Sequence, residues 1–390
     1  MKKLIFISRG DSSEVPHGEI LLSALAKAGW DIEVVAPGAT KSLLHSIQPY
    51  PHRARELPRG GIKQELAMFR ELFRARLGSF DVIYIHSQSL SARAYVALLG
   101  PQFGKKLVYH NPDYYDPLRH PLYYFFEKRF CRKLALYLNN EFHRAYITRA
   151  AYRLHCPVVT VPIMLPACWP FPQRDETLRA EMCGGNDDSP FVLVLHGGYG
   201  EVRMVPELFE ALRLLPKRFR LVMFDREHRQ AEVDRKLNEL GLADRVVRYP
   251  RMNILELARY TVNADAGILL YQNNDLGNFF TAPGRLTEYV GAGLPVVATN
   301  HTGLENLVWR YKLGVTVDST KPAKLAEGIA NLAEMVRQRQ FRAEVLRQTF
   351  LHKLAFDHWE SGIVQHFENL LSPNAERVNS PPKFPWLAEI

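Results

Sequence analysis

The sequence predicts an α/β protein with two doubly wound, parallel-sheet domains, and three observations carry that reading. Short apolar runs of strand length alternate with amphipathic segments of helix length along most of the chain, the pattern of repeated βαβ units. That alternation starts twice, at Lys3-Leu-Ile-Phe-Ile-Ser8 and at Phe191-Val-Leu-Val-Leu-His196, each followed by a glycine-containing loop and a helix. Between the two starts, residues 163–190 are rich in Pro, Gly, Asp and Asn, a linker composition. At 390 residues the chain is long enough for two cores of ordinary size. The expected division is a first domain at 1–170, a linker at 171–190, a second domain at 191–355, a final helix at 356–371 and an irregular tail at 372–390.

Composition removes several classes. There is no low-complexity tract and no clear internal repeat. The four cysteines, Cys131, Cys156, Cys168 and Cys183, lack the spacing of a metal site. With no signal peptide they read as reduced thiols of a cytoplasmic protein, and no metal site is expected. No apolar run approaches the roughly 18–20 residues that cross a bilayer. The net charge of +9 suits anionic nucleotides or an acidic membrane surface. It would also suit nucleic acid, but no compact nucleic-acid motif accompanies it, so no such partner is expected.

The first strand, 3–8, runs into a polar loop from Arg9 to Gly18, a helix from Glu19 to Ala28 and the strand Ile32–Ala36. Gly10 and Gly18 lack the G-x-G-x-x-G spacing, so this is no dinucleotide fingerprint. Arg53–Arg76 is basic and amphipathic, with Leu66, Phe69, Phe73 and Leu77 among its arginines. Leu122–Tyr137 is similar, with Phe125, Phe126 and Phe130 beside Lys128, Arg129 and Arg132. Basic residues with aromatics at helical spacing can lie on an anionic bilayer, or simply cover a sheet with their charges solvated. Between these stretches, Asp81–His86 and Lys106–His110 are strands that end in histidine. Strand ends of this kind face the ligand crevice of such sheets, which makes His110, and more weakly His86, candidates. Asn140, Glu141 and Arg144 follow the next strand; an i,i+3 ion pair accounts for the last two equally well.

In the second half, the strand 191–196 leads into Gly197-Gly198-Tyr199-Gly200 and then Arg203, ahead of a helix at 205–215. Glycines let a backbone approach phosphate closely, and the arginine adds charge. Asp225 ends the next strand, and Asn273, Asn274 and Asn278 occupy a loop before the chain's most informative stretch, Thr281–Thr299. There Pro283-Gly284 opens a helix from Arg285 to Ala292, which breaks at Gly293 and Pro295 before the strand Val296–Ala298. Arg285 lies in the first helical turn, and Glu288 falls on the same face at i+3. A fixed guanidinium with a carboxylate one turn on suits a nucleotide: charge for phosphate, an acceptor for ribose hydroxyls.

That arrangement of Thr281, Pro283, Arg285, Glu288, Tyr289, Gly293 and Pro295 resembles the donor motif of retaining glycosyltransferases of family 4, GT-B type. The resemblance implies two facing Rossmann-like domains with a cleft between them. It also implies a retaining glycosyltransferase that moves a sugar from a nucleotide-sugar such as a UDP- or GDP-sugar, without metal or other cofactor. Carried over residue by residue, Arg203 and Arg285 would handle the diphosphate and Glu288 the ribose, with His110 near the transferred sugar. Thr281, Pro283, Gly284, Gly197, Gly198, Gly18 and Asn278 would line the donor. Phe280 stands where many members carry an earlier Glu, so that contact does not transfer. Met204 stands where a glycine usually follows the basic residue.

The acceptor implied is a lipid-linked saccharide of surface-polysaccharide assembly at the inner membrane face, or a soluble glycan. Rival readings are a GT-B sugar-nucleotide epimerase, which needs acid and base carboxylates in the first domain, and a pseudoenzyme that binds nucleotide or a partner without turnover.

Overall fold

In the computed structural model the described residues are 1–13, 18–86, 90–99, 106–112, 114, 118, 121–184, 190–225, 230–281 and 284–372. The chain forms two compact units, Met1–Cys168 with Phe356–Ile390, and Trp169–Ala355.

The first unit holds a 7-stranded parallel sheet. Its strands are β1 (Lys2–Ser8), β2 (Trp30–Ala36), β3 (Arg53–Glu56), β4 (Val82–His86), β5 (Lys106–Asn111), β6 (Leu136–Asn139) and β7 (Val158–Thr160), in the order β3-β2-β1-β4-β5-β6-β7. Leu4 pairs with both Ile32 and Val82, so β1 is central, and its inner residues Leu4–Ile7 are apolar, as a strand covered on both faces requires. A core of Ile5, Ile7, Met68, Leu72, Ile83, Ile85 and Tyr109 lies under the helices of one face. The helix Asp357–Leu371 also packs in this unit, with Phe367 against Trp30 and Tyr84, and Glu368 accepting from the Trp30 indole at 2.8 Å.

Two stretches read as continuous basic helices are divided. Arg53–Glu56 is an edge strand on β2, and only Gly61–Leu77 is helical, because Pro58 and the positive-φ pair Gly60-Gly61 stop the chain between them. A highly charged edge strand protects the sheet from further pairing. Likewise Pro121–Cys131 is helical while Leu136–Asn139 is β6.

The second unit holds a 6-stranded parallel sheet. Its strands are β8 (Phe191–Leu195), β9 (Phe219–Asp225), β10 (Val246–Pro250), β11 (Ala266–Leu269), β12 (Val296–Thr299) and β13 (Gly314–Val317), ordered β10-β9-β8-β11-β12-β13. Its core gathers Leu193, Leu195, Leu208, Phe209, Leu221, Ile268, Val297 and Ile329. Inside the segment with linker composition, Asp175 caps a helix, Glu176–Cys183, whose Arg179 pairs with Asp265 at 2.8 Å. The second unit's packing thus begins at Trp169, well ahead of β8.

In each sheet the strand order reverses direction next to the first strand, between β1 and β4 and between β8 and β11. Loops leaving the carboxyl ends of such a pair diverge and open a crevice. In the second sheet those loops begin at His196 and Leu270.

Candidate active site

His196, the residue directly after β8, is the hub of the second unit's switch point. Its Nδ1 lies 2.7 Å from Glu288 Oε2 and its Nε2 lies 2.7 Å from Thr261 Oγ1. Its backbone N–H donates to the Tyr289 hydroxyl at 2.9 Å, and its carbonyl accepts from Arg285 Nη1 at 2.6 Å. Arg285, Glu288 and Tyr289 all come from the helix Arg285–Gly291. The motif therefore converges on one strand end, and the carboxylate expected to point at a ligand is anchored by a histidine. Gly267 in β11 makes room for this: a Cβ there would come within 2.3 Å of the Tyr289 ring.

The second Arg285 arm donates to the Tyr271 hydroxyl. Arg203 lies over the face of the same ring, its guanidinium carbon 4.3 Å from the centroid. Two guanidinium groups therefore share one tyrosine, and among the described residues neither forms an ion pair with a carboxylate. Burial, and then the charge of Arg285, push the Arg203 pKa down. Burial works against the Arg285 charge as well, but Tyr271, Tyr289 and Glu288 around it outweigh that and raise its pKa. Among the described residues Arg203 Nη1 is buried with no hydrogen-bond partner. Buried positive charge without a counter-ion is costly, and an anion bound between the two arginines would remove much of that cost.

The loop that carries Arg203 is shaped by its backbone. Gly197 has φ of 144°, and a Cβ there would point at Arg285 Nη1, 3.7 Å away. Arg203 closes a single 3-10 turn, Glu201–Arg203, and Met204 follows in the left-handed region with φ of 52°. That conformation favours glycine; methionine accepts the strain in exchange for a buried side chain against the second core.

Of the other predicted donor residues, Thr281 and Gly284 flank the opening of the same helix, and Thr281 is buried, its carbonyl close against Gly303. Pro283 lies outside the described residues. Gly198 follows Gly197 in the loop. Asn278 is held in a local network, its Nδ2 donating to Asn274 Oδ1 at 2.6 Å and its carbonyl facing His301. Phe280 packs on Phe279. The helix has only 7 residues, so its dipole adds less here than the two arginines do.

The first unit treats its candidates differently. His110 is 1% exposed, with Nδ1 hydrogen-bonded to Tyr84 at 2.8 Å and Nε2 to Asn140. Burial lowers its pKa to about 4, against the opposing pull of Asn140, so the imidazole is neutral. Both ring nitrogens are thus engaged within the domain. Gly18 faces His86: a Cβ would lie 2.6 Å from the ring, and His86 in turn contacts Ser8 at 3.1 Å. Glu141 caps its helix through the Arg144 backbone N–H, and the Arg144 side chain reaches the Pro112 carbonyl.

The sequence singled out Arg203, Arg285 and Glu288 as candidates but not His196, Tyr271 or Thr261, which the structure brings into contact with them. A polar residue at the end of an apolar strand, just before a glycine pair, was the available signal for His196. Tyr271 and Thr261 carried none.

Residues 19–162 match the family described as Glycosyltransferase Family 4, and residues 184–344 match Glycosyl transferases group 1. Together these matches span most of the chain, which belongs to the glycosyltransferases of GT-B type. No curated protein matches the sequence. Among solved structures, sucrose-phosphate synthase from Thermosynechococcus elongatus is similar with a TM-score of 0.73 at 17% identity, covering 95% of this chain and 99% of that one. The Anabaena protein HepE in complex with UDP-glucose has a TM-score of 0.70 at 17% identity, covering 94% and 100%. A UDP-N-acetylglucosamine 2-epimerase, so described with reservation, from Listeria monocytogenes reaches 0.61 at 11% identity, covering 98% and 100%.

Proposed function

We propose that this glycosyltransferase moves a sugar from a nucleotide-sugar donor to an acceptor hydroxyl with retention of configuration, and that Arg203 and Arg285 hold the donor's diphosphate. The observation that carries this reading is the pair of guanidinium groups around Tyr271, short of carboxylate partners, with one buried N–H group unsatisfied. Such a pair stabilises charge as it develops on a leaving diphosphate, the task a divalent ion performs elsewhere. The loop Gly197–Gly198 lets backbone approach the phosphates, Glu288 accepts from the ribose, and Thr281, Gly284 and Asn278 border the sugar. A leaving phosphate oxygen takes the acceptor proton, so no protein base is required. His110 receives no proton-transfer step, since both of its nitrogens are occupied. The similarity to a HepE structure solved with UDP-glucose agrees with a UDP-sugar donor.

For the acceptor we propose a lipid-linked saccharide, reached at an anionic membrane surface. On the helix Gly61–Leu77 the apolar residues Ile62, Leu66, Phe73 and Leu77 are exposed at helical spacing beside Lys63 and Arg70. Leu122, Phe125 and Phe126 are exposed on the helix Pro121–Cys131, next to Arg129. Exposed apolar side chains in a basic surround fit interfacial binding. Among the described residues no helix is long and apolar enough to cross a membrane.

The test is a thermal-shift and transfer assay with UDP, GDP, ADP and their sugar conjugates, with and without EDTA. A bound nucleotide at about 100 times its Kd should stabilise the fold by roughly 2.7 kcal/mol. Glu288→Ala should lower affinity by about tenfold or more through its lost hydrogen bonds. Failure of every nucleotide to shift the melting temperature would reject the donor reading, and loss of transfer in EDTA would reject the metal-free part of it.

A further inference from the structure

We infer that His196 is the positioning residue of the nucleotide site, and that it does so by holding one extra proton on the line between its Nδ1 and Glu288. This rests on the donor reading above. The argument is a count of hydrogens. The Thr261 hydroxyl donates its single hydrogen to the Leu257 carbonyl at 2.8 Å. Its oxygen can then only accept from His196 Nε2, 2.7 Å away, so Nε2 carries a hydrogen. A neutral imidazole with its hydrogen on Nε2 would turn the Nδ1 lone pair toward a carboxylate oxygen at 2.7 Å, which is repulsive unless a proton lies between them. The pair is therefore an imidazolium with a carboxylate, or an imidazole with a carboxylic acid, and in either form it carries no net charge.

That neutrality matters for the ligand. Around the imidazole stand Glu288 and Tyr289 from one helix, Thr261 from another, and the Phe224 ring from β9; Arg285 binds the His196 carbonyl, and Arg203 lies beyond Tyr271. With the shared proton in place, Glu288 cancels against His196 and the charges of Arg203 and Arg285 are left for an anion. Without it, Glu288 would carry a negative charge beside the phosphate site and lose its hydrogen bond to His196. Because the same histidine presents its carbonyl to Arg285, one residue sets both the carboxylate and the guanidinium.

The experiment measures the Kd of the nucleoside diphosphate that wild-type protein binds, chosen from UDP, GDP and ADP, between about pH 6 and 9 for wild type, His196→Ala and His196→Asn. An asparagine amide N–H can replace Nδ1–H toward Glu288 but holds no titratable proton. We expect the wild-type Kd to rise as pH increases. His196→Asn should bind within a few-fold of wild type at neutral pH with a flat profile. His196→Ala should bind on the order of tenfold more weakly at neutral pH, with the gap narrowing as pH rises. If His196→Ala does not fold, His196→Asn and its pH profile decide alone. Equal affinity of wild type and His196→Ala, or an unchanged pH slope in His196→Asn, would overturn the inference while leaving the donor reading intact. Binding of none of the diphosphates by wild type would overturn both.

Discussion

Arg93 in the first domain is buried and Arg203 in the second half-buried, and they are treated in opposite ways. Arg93 meets Glu127, with Nε 2.6 Å from its Oε2, and Asn111 Nδ2 donates to the other carboxylate oxygen at 3.0 Å. Arg74 nearby is likewise paired, with Glu71 and Glu33. Arg203 has the face of Tyr271 and the charge of Arg285 instead. In the first domain Arg93 and Arg74 are ion-paired with carboxylates, and further basic residues are exposed on the helix Gly61–Leu77. The second keeps two positive charges at its strand ends. A charge with a carboxylate partner supports the fold, whereas the two guanidinium groups around Tyr271 have no carboxylate partner among the described residues, and the proposed diphosphate role rests on that contrast.

The comparison is sharpest in a paired substitution. Arg93→Ala should destabilise the protein by about 3–5 kcal/mol, because it strands a buried carboxylate. Arg203→Ala should leave the melting temperature unchanged or raise it, by removing repulsion with Arg285, while raising the donor Kd on the order of a hundredfold. Chemical denaturation with donor titration checks both; equal destabilisation by the two would dissolve the distinction.

A smaller effect concerns His110. The unfolded chain takes up this proton near the ordinary value of 6.5 and the folded chain only near about 4. Stability should therefore be full above that window and fall as pH drops through it, by up to about 3 kcal/mol. His110→Asn should flatten the dependence of the melting temperature on pH; an unchanged slope would assign the acid sensitivity elsewhere.

The smallest change is expected at the outer basic surface. Leu66→Glu with Leu77→Glu should leave folding and donor affinity as they are but reduce sedimentation with anionic vesicles several-fold, since each loses exposed apolar contact and adds repulsion. Equal sedimentation of the variant would remove the membrane part of the proposal.

What the sequence determined by itself was whatever local chemistry enforces. Apolar runs such as Leu4–Ile7 and Val192–Leu195 must be buried, so two parallel sheets were legible, as were glycine loops and the i,i+3 relation of Arg285 to Glu288. Where the period broke, as at Arg53–Glu56, charged residues concealed a strand that only pairing with β2 reveals. Tertiary structure alone decided the partners: that His196 would sit between Glu288 and Thr261, 92 and 65 residues away, that Tyr271 would be shared by two arginines, and that His110 would be enclosed by Tyr84 and Asn140. Side-chain type specifies what a residue can bond; the strand order decides which distant groups arrive at the same sheet end. Chemistry at a switch point therefore depends on both, and only the first is written along the chain.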